Sequence, residues 1–491
     1  MTFAICRSVV RRIARLDSAD MLRAIVSIAR PARTSVAGTL TTSGRTTCAA
    51  RGYASHESAP GGGVGDTADA MHGWQHRPTT TPRTRRSEAS DLTELGSVTF
   101  RFLVACVCCA LDPAARVRLA TFDRSSIDWP LLQRLARENR VDVLLLHGMR
   151  RGPAQGIPQD VIASLEAYEL DNRRRNDASL VVLDSILNEL SRRGTPCLLF
   201  KGPVLGQQAY PDPGMRFYWD LDLLVRKTDF QAVDDALRPL QYQRDAFSKR
   251  QEKLYARYHF AHTYSPAAEG PDIDVHWSLF PVNFPIPVDY AGLRARSAPI
   301  DIGGIRTTTF SREDTLVYLS LHGAKEQWRR LQMIADVAAM VAADADLDWE
   351  ACWRTADQWH ARRKFLLALY LASAWLGAKL PPDTAQRVES DRVVRDLARD
   401  VLRRLQQFAD RGTSIFEYSR WRALSFDHMT DRIRYTWRTI SAPRLEHLSL
   451  LNVPLLPFSA YVPIRLVHDY VAIPVRDWGR RSGRRFRRRW L

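Results

Sequence analysis

Four aspartates and a histidine sit in two short hydrophobic runs. Asp220 and Asp222 lie in "FYWDLDLLV" (217–225), and Asp272, Asp274 and His276 lie in "DIDVHWSLF" (272–280). Aspartate is among the poorest strand formers, yet both runs read as strands, and residues two apart on a strand share a face. Two carboxylates side by side repel unless the face is solvated or a cation sits between them. Carboxylate oxygens converging from neighbouring strands make a seat for Mg²⁺ or Mn²⁺, because hard cations prefer oxygen ligands and combine one or two carboxylates with substrate phosphates. Two such ions a few ångströms apart clamp an in-line displacement at phosphorus. The pattern points to a divalent-metal site built on Asp220 and Asp222 with a third carboxylate, Asp274 in preference to Asp272, from the other strand. Asp272 reads as an edge residue, His276 as a hydrogen-bonded strand histidine and Trp277 as core.

These residues need strands to hold them and helices to cover the strands. "PCLLF" (196–200) is a short buried strand, followed by "KGPVLGQQAY" as a loop and short helix, then by the 217–225 strand. "TDFQAVDDALRPLQY" (228–242) reads as a capped helix, and "GGIR" (303–306) as a hairpin turn. Upstream, "SSIDWPLLQRLARENRVDVLLLHGM" opens with a Ser/Asp cap signal and an early Pro130, and Leu131, Leu132, Leu135 and Ala136 form one apolar face. A second helix runs through "ASLVVLDSILNELSRRG". From Ser311 a Ser-x-x-Asp capping box opens a long helical region, and helices continue to about 410.

The chain has 491 residues and a formal net charge of +17, but the ends carry most of the charge. Residues 1–90 and 476–491 each carry +7, leaving about +3 for the body. Only seven of the basic residues are lysines, a skew that reflects a GC-rich genome more readily than a selected partner. The seven cysteines form no CxxC pair and read as reduced core residues rather than disulfides or metal ligands. No run reaches the length of a membrane span, and no secretory signal is evident. Residues 1–90 offer little to bury and read as a disordered stretch, either an Arg-rich transit-like leader or an extension upstream of a start at Met71. The expected division is 1–90 extension, 91–195 helical region, 196–310 catalytic domain, 311–410 helical domain and 411–491 Pro-punctuated segment with an Arg-rich tail.

The order Lys-Gly, Arg, Asp-x-Asp, helix and Asp-x-His-Trp resembles the uncharacterised nucleotidyltransferase family of bacteria, within the DNA polymerase β-like nucleotidyltransferase superfamily. The pattern stands here as "FKGPVLGQQAYPDPGMRFYWDLDLLV", "DIDVHWSLF" and "LHGAKEQWRRLQMIADVA", and the resemblance covers roughly 95–465. It implies an α/β (α+β) protein in which a small mixed β-sheet core is flanked by helical regions. Asp220 and Asp222 would ligate Mg²⁺ or Mn²⁺. Asp274 would add a third carboxylate and help deprotonate the acceptor. Lys201 and Gly202 stand where the wider superfamily has a Gly-Ser pair cradling the triphosphate, with the serine absent. Lys201 reads equally as a phosphate contact or as a salt-bridge partner of an aspartate. Arg216 would contact phosphate, and His322, Lys325 and Asp336 would face nucleotide or acceptor unless they serve a helix surface or domain interface.

The resulting expectation is a cytoplasmic bacterial enzyme that moves a nucleotidyl group from an NTP, ATP among them, to an unidentified hydroxyl, phosphate or amine acceptor by a two-metal, three-aspartate mechanism. A non-catalytic nucleotide-binding or regulatory module on the same fold is the second reading, and the missing serine is its basis. A third is a nucleic-acid or anionic-membrane binder acting through the Arg-rich tail, whose Trp478, Phe486 and Trp490 interleave the charges.

Overall fold

The computed structural model describes residues 95–153, 155–406, 415–442, 463 and 467. The expectations for residues 1–90 and for the Arg-rich tail lie outside these residues. The chain begins its described course with α1 (Val98–Leu111), α2 (Val117–Ala120), α3 (Trp129–Glu138), α4 (Asp142–Arg151) and the 34-residue α5 (Gln159–Arg192). Asp128 caps α3 by accepting from the Leu131 amide at 2.9 Å, and Leu132, Leu135 and Ala136 turn inward, as the apolar spacing requires. Cys106, Cys108 and Cys109 are buried on α1, and the Cys108 thiol donates to the Leu376 carbonyl at 3.0 Å.

The central segment alternates short strands and helices: β1 (Cys197–Phe200), α6 (Gly202–Ala209), β2 (Asp220–Val225), α7 (Phe230–Leu237), β3 (Tyr242–Gln243), α8 (Lys249–Tyr258), β4 (Ala261–Pro266), β5 (Asp272–His276), α9 (Tyr290–Ala295), β6 (Ala298–Ile302) and β7 (Ile305–Thr309). The seven strands form one mixed sheet in the order β3-β4-β5-β2-β1-β7-β6. β2 runs parallel to β5 and antiparallel to β1, so the two carboxylate-bearing strands are neighbours. Gly303 and Gly304, at φ 61° and 91°, make the expected turn between β6 and β7. Some expectations shift. The helix read from 228 to 242 stops at Leu237, and Tyr242–Gln243 becomes an edge strand. β4 carries no strand signal in the sequence, because "AHTYSP" ends in proline and lacks a run of β-formers.

Each face of the sheet has its own cover. Leu199, Leu221, Leu223, Val225, Ile273 and Val275 point to one side, against Leu183, Ile186 and Leu190 of α5 and Val233 and Leu237 of α7. The opposite face carries Leu198, Phe200, Asp222, Leu224 and His276. It meets the second helical block, α10 (Arg312–Lys325), α11 (Leu331–Ala343), α12 (Trp349–Gln358), α13 (Arg362–Leu376), α14 (Pro382–Ser390), α15 (Arg392–Gln406), α16 (Ile415–Leu424) and α17 (Met429–Ser441). Ser311 caps α10 by accepting from the Asp314 amide at 3.0 Å.

The helical region expected from Ser311 onward is divided between α10 and α11. Gln327 and Trp328 adopt φ of 56° and 53°, and the Trp328 ring lies fully buried over Gly323, where a Cβ would come within 2.5 Å of it. Asn139, just after α3, accepts from the Leu331 amide at 2.9 Å through its side chain and so supplies a cap for α11. This contact ties the N-terminal helices to the α10–α11 turn. Among the described residues no helix is long and apolar enough to cross a membrane.

Helices α1 and α4 pack without a side chain between them: a Cβ on Gly148 would sit 2.0 Å from the Cys106 carbonyl oxygen. Gly148→Ala must therefore push the pair apart and is expected to cost about 2–3 kcal/mol, read as a lower urea midpoint. An unchanged midpoint would contradict this packing.

Candidate active site

The register of the parallel pair decides what meets what. Asp220 stands opposite Asp272, Asp222 opposite Asp274 and Leu224 opposite His276. Asp222 is buried to 1% exposure, a position a carboxylate holds only with compensating partners. Its Oδ1 accepts from Lys201 Nζ at 2.7 Å and lies 3.0 Å from His276 Nε2. Its Oδ2 has no hydrogen-bond partner, nor has the buried Nδ1 of His276. Asp274 is half-buried, and the exposed Thr263 hydroxyl on β4 donates to its Oδ1 at 2.6 Å. One ligand atom from each of Asp222, Asp274 and His276 falls within 4.8 Å of the others, a spacing that can surround a metal ion.

Lys201 reaches Asp222 because the chain turns abruptly after β1. Lys201 sits at φ 56° and ψ −142°, and Gly202 follows at φ +36°, with its Cβ position 3.2 Å from the Asp220 carbonyl oxygen. A side chain at 202 would be strained by backbone and neighbour alike. A second device fixes the approach to β2. Arg216 is buried and grips Asp336 on α11 with two hydrogen bonds, Nε to Oδ1 at 2.9 Å and Nη2 to Oδ2 at 3.1 Å, while Nη1 donates to the Gly202 carbonyl at 3.2 Å. Tyr210 donates to the same Asp336 at 2.7 Å. Most of the Arg216 fork is thus spent on joining the Lys-Gly turn, the β2 approach and the second helical block.

Above this floor lies a cavity of about 440 Å³, within the range of small-molecule sites. Eight of the residues singled out from the sequence line it: Lys201, Gly202, Arg216, Asp220, Asp274, His276, His322 and Lys325. Asp222 lies beneath. Asp336, which the sequence reading set facing the ligand, also lines it, although its carboxylate is engaged by Arg216 and Tyr210. Asp272 is half-buried and outside the lining.

Several lining residues were missed. Arg140 comes from the N-terminal helices at φ 55°, Arg329 and Arg330 come from the α10–α11 break, and Tyr255, His259 and Thr263 come from α8, its end and β4. Arg329 pairs with Glu326 at 3.0 Å, whereas Arg140 and Arg330 have no carboxylate partner among the described residues. Arg140 instead rests its guanidinium 5.0 Å from the Phe217 ring centroid. "RR" at 329–330 was visible as charge, but the turn that aims it at the sheet was not.

The charges act strongly on one another. Burial and the neighbouring Asp222 push the Asp220 carboxyl up to about 6, against the pull of Lys201. Burial works against the Asp222 carboxylate too, but Lys201 and His276 outweigh it and hold that carboxyl well below its ordinary range. Burial and the nearby Lys201 and Lys325 ammoniums keep His322 neutral. Burial, together with Arg140 and Arg329, brings Arg330 down to about 10. A wall of mutually repelling cations facing paired carboxylates suits a ligand that brings both phosphates and a metal ion.

A mixed sheet with carboxylates from two neighbouring strands at the floor of a cation-walled cavity defines a protein suited to anionic, metal-associated ligands. The model of the family described as uncharacterised nucleotidyltransferase matches residues 125–377, about half of the sequence, and the chain belongs to that family. No curated protein matches the chain. Among solved structures, an antigenic nucleotidyltransferase-like protein from Paracoccidioides brasiliensis is similar at 16% identity, covering 42% of this chain and 94% of that one, with a TM-score of 0.27.

Asp220 gives a test of the site's electrostatics. With its folded value raised from 3.8 to about 6, its contribution to stability is present below pH 4 and lost as pH rises through 6. Asp220→Asn, a mimic of the neutral acid, should match the unmodified protein in thermal midpoint near pH 4. At pH 7.5 without divalent ions it should melt higher, by on the order of a few °C. A lower midpoint for the variant at pH 7.5 would contradict the assignment.

Proposed function

We propose that the protein transfers a nucleotidyl group from an NTP to an acceptor, releasing pyrophosphate, with Asp220, Asp222 and Asp274 as the metal-binding carboxylates. The observation that carries the reading is the Asp222–Asp274 pair, in register on adjacent parallel strands, with Asp222 Oδ2 buried and unpartnered at the floor of a cavity walled by cations. The donor set fits a divalent ion, since carboxylate oxygens suit Mg²⁺ or Mn²⁺ and the orphaned oxygen lacks any other partner. When bound, such an ion polarises the phosphorus centre and steadies the leaving oxygen.

The chain's own groups supply the rest. Arg140, Lys325 and Arg330 receive the polyphosphate through charge-assisted hydrogen bonds, and Lys201 contributes its ammonium from below. The Arg216–Asp336 pair holds the Lys-Gly turn in place. An acceptor oxygen attacks the α-phosphorus, the bond from that phosphorus to the β-phosphate oxygen breaks, and the acceptor's proton passes to the Asp274 carboxylate. Thr263 orients that carboxylate by occupying its other oxygen.

A second reading, nucleotide binding without turnover, draws on the turn itself. Pro203, at the second position of α6, lacks the amide that could donate to a phosphate there, and the Gly-Ser pair is absent.

Calorimetric titration of the full chain with ATP, GTP, CTP and UTP, with and without Mg²⁺, separates the outcomes. At least one nucleotide should bind in a Mg²⁺-dependent way. Asp222→Asn should abolish the Mg²⁺ dependence, and Arg140→Ala or Arg330→Ala should weaken binding by about tenfold or more. Failure of all four nucleotides to bind would overturn the proposal. Binding without pyrophosphate release in the presence of candidate acceptors would favour the second reading.

A further inference from the structure

A carboxylate that bridges two metal ions offers one oxygen to each. Asp222 has only one oxygen to offer. Its Oδ1 is occupied by Lys201 Nζ at 2.7 Å and by His276 Nε2 at 3.0 Å, while Oδ2 is the unpartnered atom. The Lys201 ammonium therefore stands where a second cation would have to approach. The side chain is 15% exposed and lines the cavity a phosphate would enter.

The backbone singles out the same residue. At φ 56° and ψ −142°, Lys201 occupies a conformation that glycine holds without strain and that strains other residues. Lysine is present despite that strain, and what it adds over glycine is a cation delivered to Asp222. The surroundings keep it charged. Its Nζ is paired at 2.7 Å with the fully buried Asp222 carboxylate. Charge balance agrees. The three carboxylates of Asp220, Asp222 and Asp274 are neutralised by one divalent ion and one ammonium, with no need of a second ion before substrate enters.

We infer that Lys201 is a built-in replacement for one of the two metal ions expected from the paired aspartates, so that the site takes a single divalent ion per chain. This inference rests on the metal-dependent reading of the site and refines it. The ion lies on the side of Asp222 Oδ2 and Asp274, and Lys201 holds the opposite oxygen. The departure from the Gly-Ser cradle then has a physical reason: the position before Gly202 is given over to a cation instead of to a phosphate loop.

The test counts ions on the full-length protein with Mn²⁺ alone as the probe, reading the free-ion electron paramagnetic resonance signal during titration. The unmodified chain should bind one Mn²⁺, and Asp274→Asn should lose it. Lys201→Gly, which relieves the backbone while removing the ammonium, should bind two. Lys201→Met, uncharged and of similar size, should give the same count and covers the case of a misfolded glycine variant, with circular dichroism checking both. A merely structural lysine would leave the count at one, and that result overturns the inference. Two ions in the unmodified chain would also overturn it while leaving a metal site in place. No ion in the unmodified chain or in either Lys201 variant would overturn the metal-dependent reading itself.

Discussion

A carboxylate buried to 1% exposure must be neutralised, and much of the site follows from how Asp222 meets that demand. Its neighbours β1 and β5 supply Lys201 and His276, one from each side, and both settle on the same oxygen. Lys201 can do so only through a left-handed turn at the end of β1, and that turn tolerates only a small residue at 202, next to the Asp220 carbonyl. The remaining oxygen lacks a partner. Removing either member of such a pair leaves an uncompensated buried charge, a loss of about 3–5 kcal/mol in comparable cases. The floor is therefore rigid for electrostatic reasons before any ligand arrives.

The walls are added from outside the sheet. Arg216 and Asp336 bolt the β2 approach to α11, and Asn139 bolts the N-terminal helices to the α10–α11 turn. These two fastenings bring Arg140, Lys325 and Arg330, separated by nearly two hundred residues of sequence, to one cavity. The helical flanks thereby supply a large share of the positive charge that the proposed polyphosphate ligand requires.

How far the sequence revealed this varied with the kind of signal. β1, β2 and β5 were legible because alternation and buried runs have a fixed period, and their end points moved by only a few residues. The caps at Asp128 and Ser311 and the glycine turn at 303–304 were legible because their chemistry is local. β4 and the α10–α11 break were not. A proline-ended edge-forming segment looks like a loop, and the helical spacing of apolar residues runs on through the break that Trp328 enforces by packing on Gly323. Arg140 was out of reach for the same reason, since its role depends on a tertiary contact made by its neighbour Asn139. For Lys201 the sequence left two readings open, and the geometry realises the salt bridge with a side chain that also lines the cavity. His276 was read as a hydrogen-bonded strand histidine and is one, bonded to the carboxylate at the centre of the site.

The most direct test of the central claim is a crystal structure of the full chain with Mn²⁺ and a non-hydrolysable α,β-methylene NTP, using anomalous scattering to find the ion. The account predicts an anomalous peak between Asp222 Oδ2 and Asp274, bridged to the α-phosphate, with the remaining phosphates against Arg140 and Arg330. An ion or nucleotide bound away from the Asp222–Asp274 pair, with this cavity free of both, would contradict it.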